Sequence, residues 1–146
     1  MTGGRGRAGH SQGYFTHADP AALQRDFPLG ETFSTRTARL SPESLRELQE
    51  RRFLEVVARG WQIPFYRRHW QAVGLEPGDI RALDDLTKIP SFSKSDLMQS
   101  VAEHPPFGDF HGRDTSDAPV VMHTTSGTTG APQPLFYSPW DREAQN

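Results

Sequence analysis

The sequence predicts an α/β fold in which a helix-rich first part leads into the first strands of a sheet. Three observations carry this. Apolar residues recur at helical spacing between Ser41 and Val101, with capping residues at Ser41 and Ser93. Two short apolar runs, Val120–His123 and Leu135–Tyr137, are bounded by turn residues and read as strands. Between the runs lies a polar loop dense in Ser, Thr and Gly.

The first helix is predicted from Ser41. Ser41 and Pro42 supply an N-cap with Pro in the first turn, and Ser44-x-x-Glu47 offers a second box. Leu45, Leu48, Phe53, Val56 and Val57 form the apolar stripe, and Gly60 marks its expected end. Glu47 and Arg51 stand at i,i+4 on the polar side. After the break at Ile63-Pro64, a second helix begins with Phe65-Tyr66-Arg67-Arg68-His69-Trp70 and stops at Gly74. A short element covers Asp79 to Leu86. Ser93 with Asp96 in the box position starts a third helix through Val101. Beyond the strands, Ser138-Pro139-Trp140-Asp141 is another helix start.

Composition narrows the class. Only 34% of the 146 residues are hydrophobic, 25 are Gly or Pro, and the net charge is −2. Mean hydropathy is −0.68. No apolar run approaches the ~18–20 residues that span a bilayer, and the first residues lack the apolar core of a secretory signal. The expectation is a cytoplasmic protein without membrane partners. Without cysteine there is no thiolate metal site, disulfide framework or cysteine nucleophile. Near-neutral charge argues against a nucleic-acid partner. Residues 1–20 are rich in Gly, Arg, Ser and His and read as a disordered leader, with residues 21–146 as the N-terminal part of a truncated domain.

The chemistry concentrates in Thr124 to Pro132. Glycines let successive backbone N–H groups converge on an anion, and hydroxyls add donors of adjustable direction. Thr125, Ser126, Gly127, Thr128, Thr129 and Gly130 are the candidate phosphate-binding residues. The loop has no Walker lysine at the required spacing and does not match the G-x-S-x-G elbow of hydrolases. The glycines at 4, 6 and 9 satisfy G-x-G-x-x-G, but with three residues before them there is no room for the strand that motif needs.

Other features have plainer readings. None of the six histidines forms a metal-ligand pair, so no metal site is expected. His69 reads as a helix-surface residue and His123 as a strand residue beside the loop. Arg51-Arg52 and Arg67-Arg68 read as solvated helix faces, the first pair being neutralised by Glu47, Glu50 and Glu55. Trp61, Phe65, Tyr66 and Trp70 fit a helix-packing core better than a substrate wall.

Thr125-Ser126-Gly127-Thr128-Thr129-Gly130-x-Pro132 resembles the phosphate-binding signature of the adenylate-forming superfamily, which includes acyl-CoA synthetases. Upstream, Ile63-Pro64-Phe65-Tyr66-Arg67-Arg68, Gly74-Leu75-x-Pro77, Asp79-Ile80, Leu83-x-Asp85-Leu86, Ile89-Pro90 and Ser93-Lys94-x-Asp96-Leu97 come in an order similar to that of phenylacetate–CoA ligases. So do Pro106-Phe107-Gly108 and the strand that enters through His123. The resemblance covers residues 41–146. It implies the N-terminal portion of an AMP-binding domain, with ATP, Mg²⁺ and CoA as cofactors or substrates and an aryl-acetic acid as the acyl partner.

It also implies an acyl-adenylate route to the thioester, and a homodimer. Position 133, lysine in many members of the superfamily, is Gln133 here; the phenylacetate branch often lacks that lysine too. The lysines are Lys88 and Lys94, both ahead of the loop, so the family's late catalytic lysine has no counterpart and no catalytic residue is assigned. The chain is therefore expected to be the front of a longer ligase, inactive by itself. The rival reading is a non-catalytic helical interaction module whose Ser/Thr/Gly loop is only a turn.

Overall fold

A computed structural model of the chain describes residues 18–112, 119–125 and 132–145. Two short helices come first, α1 (Pro20–Asp26) and α2 (Gly30–Thr35), followed by a 3-10 turn at Thr37–Arg39. Asp19 starts α1, its Oδ1 accepting from the N–H groups of Ala21 and Ala22 at 3.0 and 3.2 Å. Neither helix has a periodic apolar signature, and long-range contacts secure this region. Arg52 donates to the carbonyl of Asp26 at 2.7 Å and sits 5.5 Å from the centroid of the Phe27 ring.

The long helix α3 (Pro42–Gln62) starts where Ser41 predicts, with Ser41 Oγ accepting from the Ser44 N–H at 3.2 Å. The helix runs to Gln62 and ends at extended Ile63, the residue before Pro64, where α geometry is disfavoured and where the Ile63-Pro64 break is expected. Gly60, at the end of the apolar stripe, is a contact point. The indole of Trp70 lies so near its backbone that a Cβ there would come 2.4 Å from the ring.

Helix α4 (Pro64–Gln71) opens with Pro64 in its first turn and packs against α3. Val57 and Trp61 of α3 meet Trp70, Leu75 and Ile80 in one buried cluster, with the two indoles edge-to-face at 5.0 Å. Phe65, Leu97 and Phe110 form a second cluster, and Tyr66 packs against both. The aromatic group at 61–70 is thus core, as its spacing predicts.

The short element is a 3-10 turn at Leu83–Lys88, later than its sequence position suggests. Glu50 of α3 accepts from the Leu83 N–H at 3.0 Å and Arg46 pairs with Asp84 at 2.7 Å, so α3 carries this turn. The Asp85 carboxylate accepts from the N–H groups of Arg81 and Ala82 at 2.7 and 3.1 Å, and Lys88 lies 2.8 Å away.

Those bonds favour the charged form of Asp85. Led by Lys88 and then the Arg81 N–H, they bring its pKa from an ordinary 3.8 to about 2. A depressed carboxyl stabilises the fold above its unfolded pKa, and that contribution disappears as pH falls through the folded one. Stability is therefore expected to drop between about pH 4 and pH 2, with Asp85→Asn flattening this acid limb in urea titrations followed by circular dichroism. An equally steep limb in Asp85→Asn would refute this assignment.

Helix α5 (Lys94–Glu103) has the expected reciprocal box, with Asp96 N–H to Ser93 Oγ at 3.3 Å and Ser93 N–H to Asp96 Oδ2 at 2.6 Å. Strands β1 (Val121–Thr124) and β2 (Pro134–Tyr137) pair antiparallel, with Val121 opposite Tyr137 and Met122 opposite Phe136. A lone two-stranded hairpin is marginal in water. This one leans on the second cluster through Phe136. Helix α6 (Pro139–Gln145) follows, started by Ser138, whose N–H and Oγ–H both donate to Asp141 at 2.9 and 2.7 Å.

Candidate phosphate-binding hairpin

The predicted site hangs on the hairpin. Beyond the last paired residues, Thr124 and Pro134, Thr125 and Gln133 clasp the root of the loop. The Thr125 N–H donates to the Gln133 carbonyl at 3.1 Å, and the Gln133 N–H donates to Thr125 Oγ1 at 3.3 Å. Thr125 thereby spends an acceptor site on the clasp and keeps its hydroxyl proton as a donor. Ser126, Gly127, Thr128, Thr129 and Gly130 lie outside the described residues.

His123 is exposed on β1, with its ring edge-on to Tyr137 at 5.4 Å. That is a strand-surface position beside the loop root. His69 departs from the sequence reading. It is half-buried, its Nε2 lies 2.8 Å from the Ser91 carbonyl, and its ring stacks on Phe65 at 5.9 Å. The Ser91–Phe92 turn folds over it, which helical spacing within α4 could not reveal. The arginine pairs are also more engaged than a solvated face requires: Arg52 holds Asp26, and Arg68 is bound to Asp109.

The segment 104–112, which has no regular secondary structure, organises the ground beside the hairpin. Asp109 accepts from both Arg68 nitrogens, at 2.6 and 3.2 Å, and from the Ser100 hydroxyl at 2.8 Å. Partial burial pushes the Asp109 pKa up, but the Arg68 guanidinium and the Ser100 hydroxyl outweigh it and leave the group below its ordinary value. A groove of about 990 Å³ runs from Arg59 and Gln62 past Asp109 and His111 to Ser138 and Trp140. The one sequence signal was the pair Gly108 and Gly112 bracketing Phe110 and His111; both glycines have positive φ. No group of three metal-ligating side chains is present among the described residues. Nor is any described helix long and apolar enough to cross a membrane.

No family model matches the chain. Curated relatives do, two of them as follows. A phenylacetate–coenzyme A ligase of Thermus thermophilus is 41% identical over 100 residues, 68% of this chain. One of Escherichia coli is 34% identical over 99 residues, 67% of this chain. In each case the chain spans about a fifth, 21%, of the relative's length. Among solved structures, a 2-hydroxyisobutyryl-CoA ligase in complex with 2-HIB-AMP and CoA, in its thioesterification state, superposes with TM-score 0.57 at 35% identity. That match covers 66% of this chain and 20% of that one.

Proposed function

We propose that this chain, which belongs by sequence to the phenylacetate–CoA ligase family, supplies the phosphate-holding hairpin of an ATP-dependent acid–CoA ligase. The reading rests on the clasp between Thr125 and Gln133 at the root of a Ser/Thr/Gly loop, in a chain similar to the N-terminal region of such ligases. A hydroxyl with its acceptor side occupied and its proton free suits a phosphoryl oxygen, and glycines beyond it let backbone N–H groups turn inward.

In that reaction a carboxylate oxygen of the acid attacks the α-phosphorus of ATP. The bond to the β-phosphate breaks, and pyrophosphate leaves. The thiol of CoA then attacks the acyl carbon, the thioester forms, AMP departs with the bonding pair and the thiol proton is released. Thr125 and residues 126–130 would hold the two phosphates that become pyrophosphate, by position and by stabilising their charge. Mg²⁺ would balance the remaining charge, because neither Lys88 nor Lys94 belongs to the loop. The acid is assigned as aryl-acetic and the assembly as a homodimer on family resemblance, and the location as the cytoplasm on the absence of a signal-like or bilayer-length apolar run in this sequence.

One experiment tests the reading in two parts. Titrating the 146-residue chain with Mg·pyrophosphate should shift the amide signals of Thr125 and Gln133, and Gly127→Val with Gly130→Val should weaken binding at least tenfold. The same chain given phenylacetate, ATP and CoA should release no pyrophosphate above background, since it spans a fifth of its relatives. An unmoved hairpin in the unsubstituted chain favours the non-catalytic interaction module. Robust turnover would refute the division of labour between this part and the rest of the enzyme.

A further inference from the structure

We propose that Asp109 is a positioning residue: by fixing segment 104–112 it builds the aromatic seat that sets the hairpin and the root of its loop. The carboxylate joins three parts of the fold. Arg68 of α4 meets it in a two-pronged pair, a geometry that fixes orientation as well as distance. Ser100 of α5, only 2% exposed, donates its hydroxyl to Oδ1 and accepts the Asp109 N–H at 3.0 Å. His104 Nε2 stands 3.7 Å from Oδ2. No buried side-chain polar atom among the described residues is left without a partner.

The backbone beside Asp109 has little room to move. Gly108 has φ +76°, and a Cβ there would come 2.8 Å from both Ser100 Oγ and the Phe110 ring. A side chain at 108 would be strained by conformation and blocked by contact. Phe110 is buried in the second cluster, and the His111 ring stands edge-on to it at 6.3 Å.

Phe136 of β2 lands on this seat. Its ring centroid is 5.2 Å from Phe107, 6.0 Å from Phe110 and 5.1 Å from His111. Phe136 pairs with Met122 across the hairpin, and the same ladder runs on to Thr124, Pro134 and the Thr125–Gln133 clasp. Two packed steps thus connect the Asp109 carboxylate to the root of the loop. The seat stands on contacts alone; its consequence for anion binding rests on the function proposed above.

Native-state hydrogen exchange on the 146-residue chain, together with the Mg·pyrophosphate titration, tests this. Asp109→Asn is expected to speed exchange in β1 and β2 at least tenfold while α3 amides stay within twofold, and to weaken pyrophosphate binding about tenfold. Arg68→Lys, which keeps the charge but loses the two-pronged fit, should fall between. Phe136→Leu should reproduce the hairpin effect with Asp109 untouched, and it serves if Asp109→Asn fails to fold. Equal acceleration in hairpin and α3 would make Asp109 a general stability residue and overturn the proposal, as would an unchanged hairpin. If the unsubstituted chain binds no pyrophosphate while the exchange pattern holds, the phosphate reading fails and the seat stands.

Discussion

Replacing Trp70 by alanine is expected to cost about 3–5 kcal/mol, the range for removing a large aromatic from a core. Whole domains of this size are stable by only ~5–15 kcal/mol, so Trp70→Ala should remove a large fraction of the total and lower the urea midpoint sharply. Trp70 is 6% exposed, lies edge-to-face against Trp61, and is surrounded by Val57, Leu75 and Ile80. These neighbours come from α3 and from the stretch behind α4, so no single shift can close the cavity. Urea unfolding followed at 222 nm measures the loss, since tryptophan fluorescence would change with the substitution itself. A cost below about 1 kcal/mol would mean that the site collapses around the smaller side chain.

Gly60→Ala should destabilise the chain by about 1–2 kcal/mol, against the usual direction for a helix interior. Helix propensity alone favours alanine by up to ~1 kcal/mol. Here the new methyl would lie 2.4 Å from Cη2 of Trp70 and 3.1 Å from two further ring atoms. The indole is buried and held on its other side, so it cannot retreat cheaply, and overpacking of this kind costs ~1–3 kcal/mol. Sterics therefore exceed propensity. The sign should reverse in a Trp70→Phe background, where the atoms that collide are missing, and the double-mutant cycle reads that coupling directly. A stabilising Gly60→Ala in the unsubstituted chain would refute the close approach.

What could be read in the sequence was what is local. Ser41, Ser93 and Ser138 each start a helix where expected, because a cap and its N–H partners are separated by two or three residues. The strands were visible as short apolar runs and pair in one hairpin. Gly60 closes the apolar stripe, but the reason for a glycine there lies ten residues on, in the Trp70 ring. The Glu50 bond to Leu83 and the Arg68 pair with Asp109 span 33 and 41 residues, and no spacing rule reaches that far. At the site, the order of hydroxyls and glycines suggested phosphate. The clasp between Thr125 and Gln133 needed coordinates, and residues 126–130 lie outside those described.

Tyr66 belongs to both aromatic clusters, touching Phe65 at 5.2 Å on one side and Trp70 at 6.2 Å on the other. One shared ring couples the two clusters. A fluctuation that opens the first strips packing from a face of Tyr66, and with it some of the support of the second. Tyr66 is therefore the place where a packing change on α3 is passed to the cluster of α5.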